Sequence, residues 1–283
     1  VRATINDNRM RRMALLFGTA LMLGAADAQA AGTLTVGMTA GDLPITTGNP
    51  DQGFEGYRFV GYNLYDSLGL WDLSAKGADR AADIRPGLAT EWQVDEADPK
   101  RWIFKLRQGV KWHDGCDFTA DDVVWNMAYS TDEKSPQFNP TQFAQARAYL
   151  NTYAGVEKID DYTVAFTTTV PDSLFPYMIS YILMVSPCRA REVNYDWRVF
   201  AEKPSGTGPY KFDKAVPHQR MELVPNREYW DKDRIPRHDR LVLIPMPEAS
   251  TRTAALLSGQ VNWIEAPSPD AIGRLKSSGM QIV

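Results

Sequence analysis

Three histidines, two cysteines and a few paired carboxylates are the side chains of this 283-residue chain best suited to bond chemistry. His113, His218 and His238 are scattered, and none has a second His four residues away across a Glu, so the helical zinc-hydrolase pattern is missing. No C-x-x-C occurs, and no G-x-S-x-G elbow presents a nucleophilic serine. Gly206-Thr207-Gly208-Pro209 lacks the length and the Lys of a phosphate-cradling loop, and reads instead as a tight turn whose glycines let two backbones crowd together. His113 and Asp114 are neighbours in a hairpin, where adjacent side chains diverge, so they do not form a base and its orienter. Asp121-Asp122 and Asp160-Asp161 suit a helix start and a turn. The sequence therefore predicts no catalytic residue, no metal site and no cofactor. Cys116 and Cys188 could be bridged in an oxidising compartment or be two reduced, partly buried thiols, and their spacing leaves both open.

The elements are clearest over residues 85–129. Trp102, Phe104 and Leu106 alternate with Arg101, Lys105 and Arg107, the period of two expected of a strand with one buried face. Asp98-Pro99-Lys100 marks the turn before it and Asp114-Gly115 the turn after it. Thr119 is placed to cap a helix through its hydroxyl, with Asp121 and Asp122 in the first turn and Val124, Met127 and Ala128 as the buried stripe. Elsewhere the pattern predicts a strand from Thr33, a long loop over 40–56, helices over 57–70, 141–150, 171–184 and 250–258, and two strands about the Asp160-Asp161 turn.

Composition narrows the class. A chain this long can bury roughly 70–75% of its unfolded surface, and no stretch after residue 30 is apolar for the ~18 residues of a membrane span. Arg9, Arg11 and Arg12 precede a short apolar run that closes on Ala28-Gln29-Ala30, which reads as a secretory signal over residues 1–30 with cleavage after Ala30. Those thirty residues hold four Arg and two Asp, so the remainder carries a net charge of −6 against −4 for the whole. An acidic surface without a basic stripe argues against nucleic-acid binding. Most of the many aromatic rings, Trp102, Trp125 and Trp230 among them, are assigned to packing.

PGLATEW, WIFKLRQGVKWHDG and FTADDVVW in the 85–129 stretch, with IDDYTVAF at 159–166, SGTGPYKF at 205–212, PNREYWDKD at 225–233 and LLSGQVN at 256–262, follow one another in the order and spacing of a known family. The chain resembles the family 5 solute-binding proteins of ABC importers, the oligopeptide, dipeptide and nickel binders. The resemblance implies an α/β, type II periplasmic-binding-protein-like fold with an extra inserted α+β domain. Residues 33–65 and 176–283 would form the first lobe and 66–175 the insertion, with the distal lobe missing from these residues. It implies a monomeric, periplasmic binder, not an enzyme, that captures a small solute, most commonly a di- or oligopeptide, for an ABC permease. Nickel, haem, a sugar or an opine are alternatives within the family, and a secreted hydrolase lies outside it. By the same resemblance, Gly53, Phe54 and Glu55 run beside the ligand backbone, with Tyr57 close by.

Overall fold

The computed structural model describes residues 32–72 and 83–282. The expected export signal lies outside them, as does most of the polar stretch after Asp72. The described residues fall within one compact unit.

The chain opens with β1 (Thr33–Met38), then a helical run made of α1 (Gly53–Gly56), a π-helical stretch Tyr57–Gly61 and α2 (Tyr62–Leu64). There follow β2 (Gly69–Asp72), β3 (Asp83–Pro86), β4 (Ala89–Asp95), β5 (Asp98–Leu106), α3 (Ala120–Thr131), α4 (Pro140–Tyr149), β6 (Tyr153–Asp160) and β7 (Thr163–Thr168). Short helices α5 (Phe175–Ile179), α6 (Pro187–Glu192) and α7 (Trp197–Glu202) lead to β8 (Tyr210–Val216), β9 (Arg220–Pro225), β10 (Arg240–Pro245), α8 (Ala249–Leu257), β11 (Trp263–Ile264) and α9 (Ile272–Ser277).

Two apolar cores organise these elements. A mixed sheet in the order β11-β1-β10-β9-β8, with β1 parallel to both β10 and β11, packs Val36, Met38, Leu223, Leu241 and Leu243 against Phe59, Val60 and Leu64 of the first helical run. An antiparallel sheet in the order β4-β5-β7-β6 packs Phe104, Val164 and Phe166 against Val123 and Met127 of α3. The alternation read at 102–107 is present, with Trp102, Phe104 and Leu106 buried.

The α3 helix starts as expected at Thr119 and Asp122, which form a capping box in which the Asp122 carboxylate accepts from the Thr119 amide at 2.9 Å. Its buried stripe is Val123, Asn126, Met127 and Ser130 rather than Val124, Met127 and Ala128. The rotation has a cause: α3 lies between the two cores, so Asn126 turns inward and holds both the amide and the carbonyl of Val185 (2.8 and 2.9 Å).

Two helix expectations are corrected. The predicted helix at 57–70 begins earlier, at Gly53, and ends at Leu64, where Tyr65 becomes extended; Gly69 and Leu70 are instead paired to β3. The apolar 171–184 segment is helical only over α5, after which it runs into the space between the cores, burying Ile182, Leu183 and Met184. In both places apolar residues face cores on more than one side, so helical spacing and burial no longer coincide. The helix near 250–258 is present as α8, with Glu248 rather than Ser250 or Thr251 at its cap and Gly259 (φ +75°) just past its end.

The Gly206–Pro209 turn is a point of backbone crowding. A Cβ on Gly206 would stand 2.0 Å from the Leu64 carbonyl oxygen, and one on Gly208 2.5 Å from the Leu64 carbonyl carbon. His113 reaches the same turn: its Nδ1 accepts from the Gly206 amide at 3.3 Å and its Nε2 donates to the Gly208 carbonyl at 3.0 Å. Burial pushes its pKa down to about 4, so the ring is neutral. Asp114 turns away, to the Ser186 hydroxyl and the Cys116 amide. Cys116 and Cys188 are joined in a disulfide across a Cα–Cα distance of 6.6 Å.

Beneath this turn lies a buried carboxylate. Asp66 accepts from the Tyr229 hydroxyl (2.8 Å), the Trp230 indole (2.9 Å) and the Thr207 hydroxyl (3.0 Å), while its own carbonyl accepts from the Met184 amide (3.0 Å). Burial raises its pKa against the lowering effect of these donors and of Arg234.

Candidate functional site

Parallel strands deliver their carboxyl ends to one edge of a sheet, and in open α/β folds ligands gather at that edge. Here β1, β10 and β11 all run in the same direction, so the segments leaving Met38, Pro245 and Ile264 emerge together. The Met246 amide donates to the Met38 carbonyl at 2.9 Å and continues the pairing past the strand ends. The Thr39 hydroxyl donates to the Glu265 carboxylate at 3.1 Å, linking the loops that follow β1 and β11.

Arg58 completes this edge. Its Nη2 donates to Glu265 at 3.0 Å and to Glu55 at 3.4 Å, so one half-exposed guanidinium lies between two carboxylates. Phe54 projects beside them with 59% of its surface exposed, which is unusual for a phenyl ring and places a flat apolar group on a charged rim. Trp263, 39% exposed, stands edge-on to Phe59 nearby. It also lines a hollow of about 480 Å³ with Glu265 and Pro267.

The edge is held from behind by Arg252, a residue the sequence reading missed. Its side chain is 3% exposed and has no carboxylate partner among the described residues. The guanidinium instead donates to four carbonyls: Met246 and Pro247 (both 2.6 Å), Glu265 (3.0 Å) and Ala266 (3.0 Å). The planar fork of Arg suits this arrangement, in which one cation organises the turns after β10 and β11. The only signal in the sequence was one arginine in the otherwise uncharged run Ala249–Leu257.

The long loop before α1 is firmly tied. Gln142 exchanges two hydrogen bonds with the Asn49 backbone (2.8 and 2.9 Å), Asn49 Oδ1 accepts from the Leu183 amide (2.8 Å), and the hydroxyls of Tyr65 and Tyr129 donate to the Thr46 and Thr47 carbonyls. Gln52 and Gly53 then both take left-handed conformations (φ +65° and +59°), turning the chain into the helical run. A Cβ at Gly53 would meet only Glu55 Oε2, at 3.9 Å, so that glycine serves conformation; at Gly56 a Cβ would stand 1.8 Å from the Asp51 carbonyl, so that one serves close approach.

Gly53, Phe54 and Glu55 are thus brought together on the open edge. Tyr57 is not on it: the ring is 2% exposed, its hydroxyl donates to the Tyr181 carbonyl at 3.2 Å, and burial among Tyr62, Tyr149 and Tyr181 raises its pKa strongly. It supports the edge from below, at the start of the π-helical stretch. Among the described residues no group of three His, Cys, Asp or Glu side chains is placed to hold a metal ion, and no helix is long and apolar enough to cross a membrane.

The model of bacterial extracellular solute-binding proteins, family 5 Middle, matches residues 83–282. The chain is 27% identical over 263 residues to a dipeptide-binding protein of Escherichia coli, covering 86% of this chain and 48% of that protein. It is 30% identical over 211 residues to heme-binding protein A of Haemophilus influenzae, covering 70% and 38%. Its fold matches the ABC transporter-associated periplasmic binding protein DppA from Helicobacter pylori, solved in complex with the peptide STSA, with a TM-score of 0.71 and 25% identity over 87% of this chain and 48% of that one. The chain spans about half the length of the curated relatives it matches or less. With its α/β architecture of a type II periplasmic binding protein, it belongs to the family 5 bacterial extracellular solute-binding proteins.

Proposed function

We propose that this chain is part of the substrate-binding component of an ABC importer, which captures a di- or oligopeptide outside the inner membrane and presents it to a permease. The observation that carries this reading is the open edge at the carboxyl ends of β1, β10 and β11, where an exposed phenyl ring and the Glu55–Arg58–Glu265 group are held on a rigid base. An exposed ring beside charges of both signs suits a zwitterionic solute with apolar side chains. The names of two relatives, a dipeptide binder and a protein solved with a tetrapeptide, support the same class.

In this reading Gly53, Phe54 and Glu55 contact the solute, backbone first, and Tyr57 fixes their height from beneath. Residues 33–65 and 176–283 act as a lobe and 66–175 as an insertion in it, the protein works as a monomer, and residues 1–30 direct its export. It carries out no bond chemistry of its own. Mass spectrometry of solute carried through purification, followed by calorimetry with the peptides identified, tests the proposal. Recovery of haem with no peptide would overturn it in favour of the solute named for the Haemophilus relative. Unchanged peptide affinity in a Gly53→Val variant would remove Gly53, Phe54 and Glu55 from the site.

A further inference from the structure

A cavity of about 540 Å³ lies between the β2–β3 ribbon and Arg234; it touches the base of the strand-end edge only where Tyr62 packs on Tyr57 (ring centroids 5.6 Å), and Phe54, Glu55, Arg58 and Glu265 are not among its lining residues. Its size is within the ~300–1,000 Å³ of pockets that take small organic ligands. We propose that it is a second binding site, for a small flat aromatic monocarboxylate.

Three observations select that class. The first is the wall: Tyr62, Leu70 and Trp71 line the cavity. Trp71 is held against Tyr181 (ring centroids 5.0 Å) and Tyr177 (6.3 Å), neither of which lines the cavity, so the indole is fixed in place by ring contacts. The second is an unmet donor. The Trp71 Nε1–H is buried and, among the described residues, meets no acceptor with good geometry, its nearest polar neighbour being the Tyr62 hydroxyl, and a buried donor of this kind is usually satisfied by a group from outside.

The third is charge. Arg85 and Arg234 both line the cavity. Among the described residues Arg85 has one loose ion pair, to Asp231 at 3.6 Å, and Arg234 Nη1 donates to the Tyr229 hydroxyl at 3.0 Å, so each guanidinium has further N–H groups to offer an incoming carboxylate. Asp66 and Asp72 lie on the same lining and would repel a second negative charge, which limits the ligand to a monoanion. Asp66 already accepts from three side chains, so its place there is structural; it shares only the charge of Arg234, with which it makes no direct bond, and leaves Arg85 to the ligand.

The proposal is independent of the peptide reading, and its test uses neither a peptide nor the strand-end edge. Phenylacetate titrated into the full chain by calorimetry should bind with one-to-one stoichiometry. Trp71→Phe keeps the ring and deletes the donor, and should weaken binding about three- to tenfold; Arg85→Gln should weaken it about tenfold. Phenylacetamide, the neutral isostere, should bind the parent protein about tenfold more weakly, an arm that needs no variant to fold. The fluorine resonance of 4-fluorophenylacetate gives a second readout of occupancy. Absence of binding up to millimolar phenylacetate, equal binding of acid and amide, or unchanged affinity in both folded variants would each overturn the proposal.

Discussion

The sulfurs of Cys116 and Cys188 are bonded to each other across 72 residues of sequence, fastening the hairpin after β5 to helix α6. Chain entropy for a loop of that size corresponds to about 4 kcal/mol, the upper end of what such bridges deliver. Replacing both cysteines by serine should lower unfolding stability by about 2–4 kcal/mol in urea titration without loss of the folded state, because His113 and Asp114 still anchor the hairpin to the Gly206 turn and to Ser186. A reduced protein with an unshifted urea midpoint would contradict this.

Arg252 should be as sensitive as a core residue, although it is charged. Arg252→Met fills the space but leaves four carbonyls without their donor, and should cost about 2–4 kcal/mol. Arg252→Lys should recover only part of this, since an ammonium on a flexible stem cannot span the turns after β10 and β11 together. Urea titration of the two variants beside the parent gives the order, and a Lys variant as stable as the parent would show that charge alone suffices.

Glycine tolerance should divide by position. Gly206→Ala places a methyl group 2.0 Å from the Leu64 carbonyl oxygen and should destabilise by about 2–3 kcal/mol or prevent folding. Gly155→Ala in β6 meets nothing within 4 Å and should be neutral or stabilising by up to about 1 kcal/mol. Thermal melts of the pair test whether close approach, rather than glycine content, sets the requirement.

His113 should make stability depend on pH on the acid side. The unfolded ring titrates near its ordinary value of 6.5 and the folded one near 4, so between these values the unfolded chain binds more protons. The contribution is full above 6.5 and is lost as pH falls towards 4, to a limit of about 3 kcal/mol. Protonation of Nδ1 would also break the bond from the Gly206 amide. Urea midpoints measured from pH 7 to pH 4 should fall more steeply for the parent than for His113→Gln. That difference separates His113 from Asp66, whose raised pKa bends the curve the opposite way.

The sequence disclosed what depends on near neighbours. The period of two through Trp102, Phe104 and Leu106, the start of α3 at Thr119 and Asp122, and the crowding at Gly206 and Gly208 all follow from local steric or hydrogen-bonding rules, and all are present. What it hid depends on packing between the two cores. Asn126 turns inward because Val185 is there to meet it, and Leu64 ends a helix because Tyr65 and Asp66 are needed elsewhere. On the candidate edge, Gly53, Phe54 and Glu55 were legible through resemblance, whereas Arg58 and Glu265 were not, being 207 residues apart until the parallel strands bring them together, and Arg252 was not, because its partners are backbone carbonyls that no side-chain pattern announces.

Between Asp66 and Met184 the chain makes a long excursion, building the antiparallel sheet with α3 and α4, and the two ends of that excursion meet in a single hydrogen bond of 3.0 Å. The same excursion is fastened again by the Cys116–Cys188 bridge, by His113 on the Gly206 turn and by Asn126 on Val185, so it is anchored along its length and not at its ends alone. The contacts of Gln142 with Asn49 and of Tyr129 with Thr47 act as guy-ropes on the segment leading to Gly53. Variation far out in the antiparallel sheet, away from these anchors, can therefore be accommodated silently, while variation at Gln142 or Tyr129 is transmitted to the edge they steady.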